Sequence, residues 1–399
     1  MQEKEERIHL VFWWLFPCKA ISGVFRELAE LPTYRVTVVC VHDVIEVRKR
    51  LGHGLPDYGK AELIILPTRN WKPEADRLLG SSRSAIHFFD GMQAYDRIRY
   101  SLRKALKMWA RVAVMTEAFN NSFSGLKWLA KEIYWRTILP LATRPFVRRN
   151  MFVLCLSGSS QTDRRSLRRL GWRDEQIFPF GYFSEQPPVE ADAPNGPEDP
   201  AAELRLLCTG YLTKNKGHRV LLRALSLLKT RGLRFHCDIT GYGPEEARLR
   251  ALSRSLRIDS AVAFRGVVPT EELNGLMRSA DIFVAPGVLE PWGIRINEAI
   301  QAGLPVVVSD GIGACELVRA SGGGVVFRSG DSEELADALF SLISEPEKLY
   351  KCKERCRNYR QHIHPRAAVN YFDKVMRYTL NPTGEKPLPP WLYFHSTTR

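Results

Sequence analysis

The sequence has no apolar run long enough to cross a bilayer. Its first apolar stretch, IHLVFWWLF at 8–16, falls well short of the ~20 residues that a spanning helix needs. The MQEKEER before it is acidic and polar where a leader peptide would be basic, so a first strand is expected there and no leader. A spaced cysteine framework is also missing. Cys18, Cys40, Cys155, Cys208, Cys237, Cys315, Cys352 and Cys356 are scattered, mostly inside strand-like runs, which implies a reducing, cytosolic home. Acid is in deficit: 58 Lys+Arg against 44 Asp+Glu leave a net charge of +14. Such a balance suits an anionic partner: nucleic acid, a membrane surface or a phosphorylated substrate. No zinc finger, helix-turn-helix signature or RNA-binding aromatic motif accompanies the charge, which argues against nucleic acid.

What is present is enough for two cores, since 399 residues at 45% hydrophobic exceed one ordinary domain. The segment QPPVEADAPNGPEDPAAE (186–203), with five prolines and almost no large apolar residue, reads as a linker. After it, LRLLCTG, FHCDITG, VAFRG, DIFVAP, LPVVVSD and GGVVF alternate with helix-period segments. Apolar, non-alternating strands between helices imply a parallel sheet covered on both faces. The first half repeats the pattern less regularly through HLVFWWLF, YRVTVVC, AELIILP, SAIHFF, VAVMTEAF and FVLCLS, with helices expected over 91–111 and 122–149. The expected architecture is α/β, with two Rossmann-like, doubly wound domains at 1–185 and 204–358. A helix at 359–380 crosses back onto the first domain, and a loosely ordered tail occupies 381–399.

The stretch LEPWGIRINEAIQAGLPVVVSDGIGACELV (289–318) carries the most specific chemistry. Gly293 allows close backbone approach, and a helix opening near Ile294 offers free N–H groups to a phosphate. Glu298, one turn inside that helix, could accept paired hydroxyls, and Glu290 stands in the loop before it. Lys216, in a G-x5-KG loop after a strand, could neutralise the charge that develops when a sugar–diphosphate bond breaks. Gly241-Tyr242-Gly243 follows another strand, where its glycines could admit a nucleotide.

Together with TGYLTKNKGH (209–218), TGYGPEEARLRAL (240–252) and FRGVVPTEEL (264–273), this block resembles the retaining glycosyltransferases of family 4, which have the GT-B fold of two domains facing a cleft. SGSSQTDRRSLRRLGWRDEQIFPFGYF (157–183) resembles the segment before their interdomain linker. The resemblance implies a nucleotide-sugar donor, with Glu298 on the ribose hydroxyls and Glu290 beside the sugar. Gly293, Ile294 and Arg295 would line the sugar or diphosphate with Gly210, Gly241 and Gly243, and Lys216 would meet the diphosphate. The chain departs from that pattern in the first strand's loop, PCKAISG (17–23), which carries only Gly23 where a more Gly-rich turn is common, and in two further places. The arginine common after Gly210 is replaced by Tyr211, with Arg219 or Arg295 as substitutes. The histidine common near the sugar is not evident, leaving Glu117 and His87 as alternatives. No D-x-D triad follows a first-half strand, so neither a metal nor another cofactor is indicated. Cys352, Cys356, His362 and His364 do not match a common zinc spacing.

The positive charge is unevenly placed. Twelve basic residues between 97 and 149 face only Glu117 and Glu132, giving that stretch +10 of the +14. On a helix through 97–111, Ile98, Leu102, Ala105, Leu106 and Trp109 form the apolar face, opposite Lys104 and Lys107. On the next helix Leu126, Leu129, Ala130 and Ile133 form the expected core stripe, with Lys127, Trp128, Lys131 and Trp135 outward. Tryptophan beside lysine suits an anionic lipid interface.

The sequence therefore reads as a retaining glycosyltransferase acting on a lipid-linked cell-surface glycan, peripheral on the inner face of the cytoplasmic membrane. A nucleotide-sugar epimerase on the same scaffold and a catalytically weak membrane-bound scaffold are the alternatives. Donor base, sugar, linkage and oligomeric state are left open.

Overall fold

The computed structural model describes residues 7–44, 54–93, 95–117, 125–158, 161–185 and 203–392, so the linker read at 186–203 lies outside the described residues except for Glu203. Two compact units divide the chain: Met1–Glu185 with His364–Pro390, and Gln186–Ile363 with Trp391–Arg399.

The first unit holds seven parallel strands: β1 (Ile8–Trp14), β2 (Tyr34–Cys40), β3 (Glu62–Ile65), β4 (Ile86–Asp90), β5 (Arg111–Thr116), β6 (Val153–Cys155) and β7 (Ile177–Pro179). They lie in the order β3-β2-β1-β4-β5-β6-β7. Burial on both faces explains why the central strands read as unbroken apolar runs: in β1 every residue from Leu10 to Trp14 is buried. The helix Pro365–Leu380 belongs to this unit. Its Phe372 packs on Phe12 and Phe88, and Tyr34 donates a 2.7 Å hydrogen bond to Asp373. Gly23, within the helix Lys19–Glu30, makes room for it: a Cβ there would stand 2.9 Å from Pro365 Cγ.

The second unit holds six parallel strands: β8 (Leu204–Thr209), β9 (Phe235–Thr240), β10 (Val262–Gly266), β11 (Ile282–Ala285), β12 (Val306–Ser309) and β13 (Gly324–Phe327), ordered β10-β9-β8-β11-β12-β13. Each sheet reverses its order once, between β1 and β4 and between β8 and β11. Parallel α/β sheets bind ligands at the carboxyl ends of strands beside such reversals.

Of the tail read at 381–399, residues 393–399 lie outside the described residues, and the part up to residue 392 is anchored by packing. Trp391 is fully buried against Trp292, donates to Glu316 at 3.1 Å, and its carbonyl accepts from the Tyr359 hydroxyl. Lys386 donates to the carbonyls of Asp174 and Ile177. A polar, proline-rich segment gives no periodicity from which one buried tryptophan could be foreseen.

Candidate functional site

Three loops meet at the carboxyl ends of β8, β9 and β11. The first runs from Gly210 to Gly217 and ends in a tight turn, Lys214–Lys216. Gly217 follows at φ +70, where a Cβ would collide with the Pro286 carbonyl at 1.7 Å. This glycine lets the Lys216 loop press against the one that follows β11. Val288 N–H donates to Asn215 O at 2.8 Å, and Lys216 Nζ lies 2.6 Å from Glu290 Oε1. Both side chains are about one-quarter exposed, so the pair is partly desolvated yet open to a ligand.

Glu290 is held by its own backbone, its N–H donating to Gly311 O and its carbonyl accepting from Gly313 N–H. Trp292 of the PWG motif is core: it is buried, with its indole N–H 2.9 Å from Asn297 Oδ1. Gly293, at φ +92, caps the helix Ile294–Gln301, and a Cβ there would meet Ile312 Cγ2 at 2.6 Å. In the first turn of that helix, Ile296 N–H bonds back to the Gly293 carbonyl at 3.0 Å, while a helix start in general presents N–H groups with no partner inside the helix. Glu298 is buried one turn in. Burial raises its carboxyl above the ordinary glutamate value, against the pull of Arg295, which contacts it.

The glycines of 241–243 serve packing. A Cβ on Gly241 would be 1.9 Å from Gly210 O, and one on Gly243 would be 2.5 Å from Leu212 O. Leu212 N–H donates to Tyr242 O at 2.8 Å, so these two loops are locked together. At both positions backbone fills the space that a side chain would take, so packing alone requires glycine there. Gly210, at φ +154, has only the flexible Lys216 Cδ near its missing side chain.

Of the suggested substitutes for the missing arginine, Arg219 pairs with Glu245 at 3.0 Å and Arg295 with Glu298. Tyr211 is exposed and edges against Tyr242. Among the described residues, two polar groups beside the lysine loop have no hydrogen-bond partner: the Thr209 hydroxyl at the end of β8, and both ring nitrogens of buried His218. Burial, aided by Lys216, pushes the His218 imidazole down to about 4, so it is neutral at pH 7.

In the first unit His87 is core. Trp13 donates to its Nδ1 at 3.1 Å, its Nε2 lies 3.0 Å from Ser82 O, and burial pushes it down to about 4. Sequence reasoning missed Asp90, which ends β4 at the point of strand reversal. It accepts from Leu15 N–H at 3.3 Å, and burial pushes its carboxyl up to about 7, with the Glu117 charge adding to the effect. Tyr182 donates to Glu117 at 3.0 Å. An acidic residue closing the strand IHFFD before Gly91 was the available signal.

The expected lipid-facing residues divide differently. Lys104 is tied to Asp76 at 2.9 Å, while Lys107 and Lys127 are exposed. Trp135 packs against the core and Lys131 lies 4.7 Å over its ring; the Trp128 side chain lies outside the described residues. Leu129, Ala130 and Ile133, expected in the core, are exposed. Trp109, expected on the same face as Ile98, lies past its helix at φ 60 and is 80% exposed. Among the described residues no helix is long and apolar enough to cross a membrane.

Comparison with known proteins places this geometry in context. Residues 193–359 match the family model for glycosyl transferases group 1. The chain is 30% identical over 186 residues to the putative colanic acid biosynthesis glycosyltransferase WcaL of Escherichia coli K12, covering 45% of this chain and 46% of that protein. It is 34% identical over 145 residues to the amylovoran biosynthesis glycosyltransferase AmsK of Erwinia amylovora, 35% of this chain and 36% of the other. The match thus spans less than half the length of these relatives. Across nearly the whole chain the fold is that of Anabaena Alr3699/HepE, solved in complex with UDP (TM-score 0.68, 16% identity, 93% of this chain and 99% of the other). It is also that of WaaG, a glycosyltransferase of lipopolysaccharide biosynthesis (TM-score 0.57, 16% identity, 90% and 98%). Both units are Rossmann-like, and the structural neighbours are GT-B glycosyltransferases.

Proposed function

We propose that this protein transfers a sugar, with retention, from a nucleoside-diphosphate donor to a hydroxyl of a lipid-linked cell-surface glycan. The observation that carries the reading is the Lys216–Glu290 pair, which joins the loop before the helix Ile294–Gln301 to the lysine loop after β8. A diphosphate brings the negative charge that Lys216 and the helix start can neutralise. On its arrival Lys216 exchanges Glu290 for phosphate oxygen, which leaves the Glu290 carboxylate free to accept a sugar hydroxyl. The C1–O bond to the diphosphate breaks, C1 bonds to the acceptor oxygen, and the acceptor proton passes to the departing phosphate. Lys216 and the helix start stabilise the charge left behind. Glu298 turns from Arg295 to the ribose hydroxyls, and Arg295 is released toward the phosphates.

The polysaccharide relatives and the UDP complex of a neighbour support this reading. The first unit is proposed to hold the acceptor and to work at the cytoplasmic face of the membrane. No metal or other cofactor is invoked. The test is acceptor-dependent turnover: purified protein with a nucleotide sugar and a lipid-linked glycan should release nucleoside diphosphate and extend the glycan. Conversion of the nucleotide sugar without any acceptor would favour an epimerase instead.

A further inference from the structure

The six-stranded sheet carries a polar face that its fold does not require. A parallel sheet covered on both sides is expected to be apolar in both directions. Phe235, Cys237 and Ile239 of β9 obey this and join the core, but His236 and Asp238 alternate onto the other face. Arg205 of β8 pairs in register with His236 and shares that face. Arg265 of β10 joins them: its Nε donates to Asp238 Oδ1 at 2.7 Å, and His236 Nε2 lies 3.2 Å from the same oxygen. These four side chains form one wall of a cavity of about 710 Å³. The helix Thr270–Ser279 adds Arg278 to its lining, and the helix Pro346–Tyr359 adds Lys353 and Arg357. Lys216, Glu290, Gly293 and Glu298 are not among the lining residues.

Charge in this cavity is unbalanced. Five cations, from Arg205, Arg265, Arg278, Lys353 and Arg357, meet three acids, Glu203, Asp238 and Asp281. Two of the acids are already engaged. Asp238 is shared by His236 and Arg265, and Asp281 Oδ2 accepts from Arg205 N–H at 3.0 Å. The Lys353 side chain is only 10% exposed, yet among the described residues its one hydrogen bond is long, 3.4 Å to Asp281 Oδ1. An ammonium has three donors, so this nearly buried cation has donors to spare. Among the described residues neither the Arg205 nor the Arg278 guanidinium forms an ion pair. Arg360 packs with Arg357 over Gly303, and its Nε is buried without a hydrogen bond. Burial, with the Arg357 charge second, lowers its guanidinium below the usual value. Holding buried cations incompletely paired is costly, and a bound anion would relieve that cost.

We propose that this cavity binds a small phosphate compound carrying at least two negative charges, at a site separate from the donor loops. Two excess cations set that minimum. The planar forks of Arg205 and Arg278 suit phosphate oxygens, and Lys353 supplies a point charge at the base. The site stands on the second unit alone and does not depend on the transferase reading.

The test is calorimetric titration of inorganic pyrophosphate into the full chain, beside citrate as a carboxylate of comparable charge. Wild type should bind pyrophosphate saturably and more tightly than citrate, and should melt higher in its presence. Arg205→Gln with Arg278→Gln should weaken pyrophosphate binding at least ~10-fold. Both side chains are exposed, so the ligand-free melting temperature should hold. Lys216→Met should keep a pyrophosphate site of wild-type affinity, because that lysine belongs to the donor loops. Absence of binding by wild type, unchanged binding by the glutamine pair, or loss of all binding in Lys216→Met would each overturn the proposal. Citrate bound as tightly as pyrophosphate would overturn the assignment to phosphate. Nucleotide binding by the glutamine pair should match wild type. Loss of pyrophosphate binding in that pair, with no nucleotide bound by either protein, would overturn the transferase reading and leave this site standing.

Discussion

Replacing Asp90 by asparagine should stabilise the protein, by an amount that grows with pH. Asp90 ends β4 with one backbone donor, Leu15 N–H, and burial raises its carboxyl from 3.8 to about 7. A carboxyl whose folded value is raised favours the protonated fold. Its contribution is therefore fully present below its unfolded value and is lost as pH rises through about 7. About three units at ~1.4 kcal/mol each give a ceiling of ~4 kcal/mol, lost between about pH 4 and about pH 7. The wild-type profile alone mixes several groups. Glu298 shifts in the same direction, whereas His87 and His218, both pushed down to about 4, lose stability as pH falls. The difference between wild type and Asp90→Asn cancels those terms, and asparagine can still accept from Leu15. Urea unfolding of both proteins from about pH 5 to about pH 8 should show the variant's advantage widening by a few kcal/mol. A constant offset across that range would refute the reasoning, because it would mean that the carboxyl titrates normally.

Three further outcomes are expected. Gly217→Ala should cost more than ~2 kcal/mol, from left-handed strain plus collision with the Pro286 carbonyl, while Gly232→Ala, at φ +80 with open space around it, should cost only ~1 kcal/mol; thermal unfolding of the two compares them directly. Lys216→Met should lower the transfer rate by ~10²–10³ with a much smaller effect on nucleotide affinity, read from kcat and Kd, and turnover within a few-fold of wild type would remove the lysine from the mechanism. Glu298→Gln removes a buried charge whose carboxyl is raised, so the nucleotide-free variant should melt higher than wild type at pH 8, with the gap closing as pH falls toward the carboxylate range.

Strands β1–β6 and β8–β13 are legible as apolar runs, the central ones because a parallel sheet covered on both faces demands them. The short β7, three residues within IFPF, has too little sequence to carry a pattern. That Lys216, Glu290 and Gly293 stand in strand-to-helix connections is also legible, because each loop directly follows an apolar strand. The Lys216–Glu290 contact joins loops after β8 and β11, neighbours only in the folded sheet, and no local pattern predicts it. The reading failed where periodicity has no sign. Leu129 and Ile133 form the stripe that spacing predicts, but spacing cannot tell whether a stripe faces inward or outward, and here it is exposed. Trp109 extends the apolar face of its helix in register, yet the chain has already left the helix at Met108.

The central claim, a nucleoside diphosphate held at the carboxyl ends of β8 and β11, is tested most directly by calorimetric titration of UDP, GDP, dTDP and ADP into wild type and Glu298→Ala. The account predicts saturable binding of one nucleotide in preference to the others, weakened at least ~10-fold in the variant by loss of the paired acceptor for the ribose hydroxyls. Absence of binding by all four, or equal affinity in wild type and variant, would contradict it.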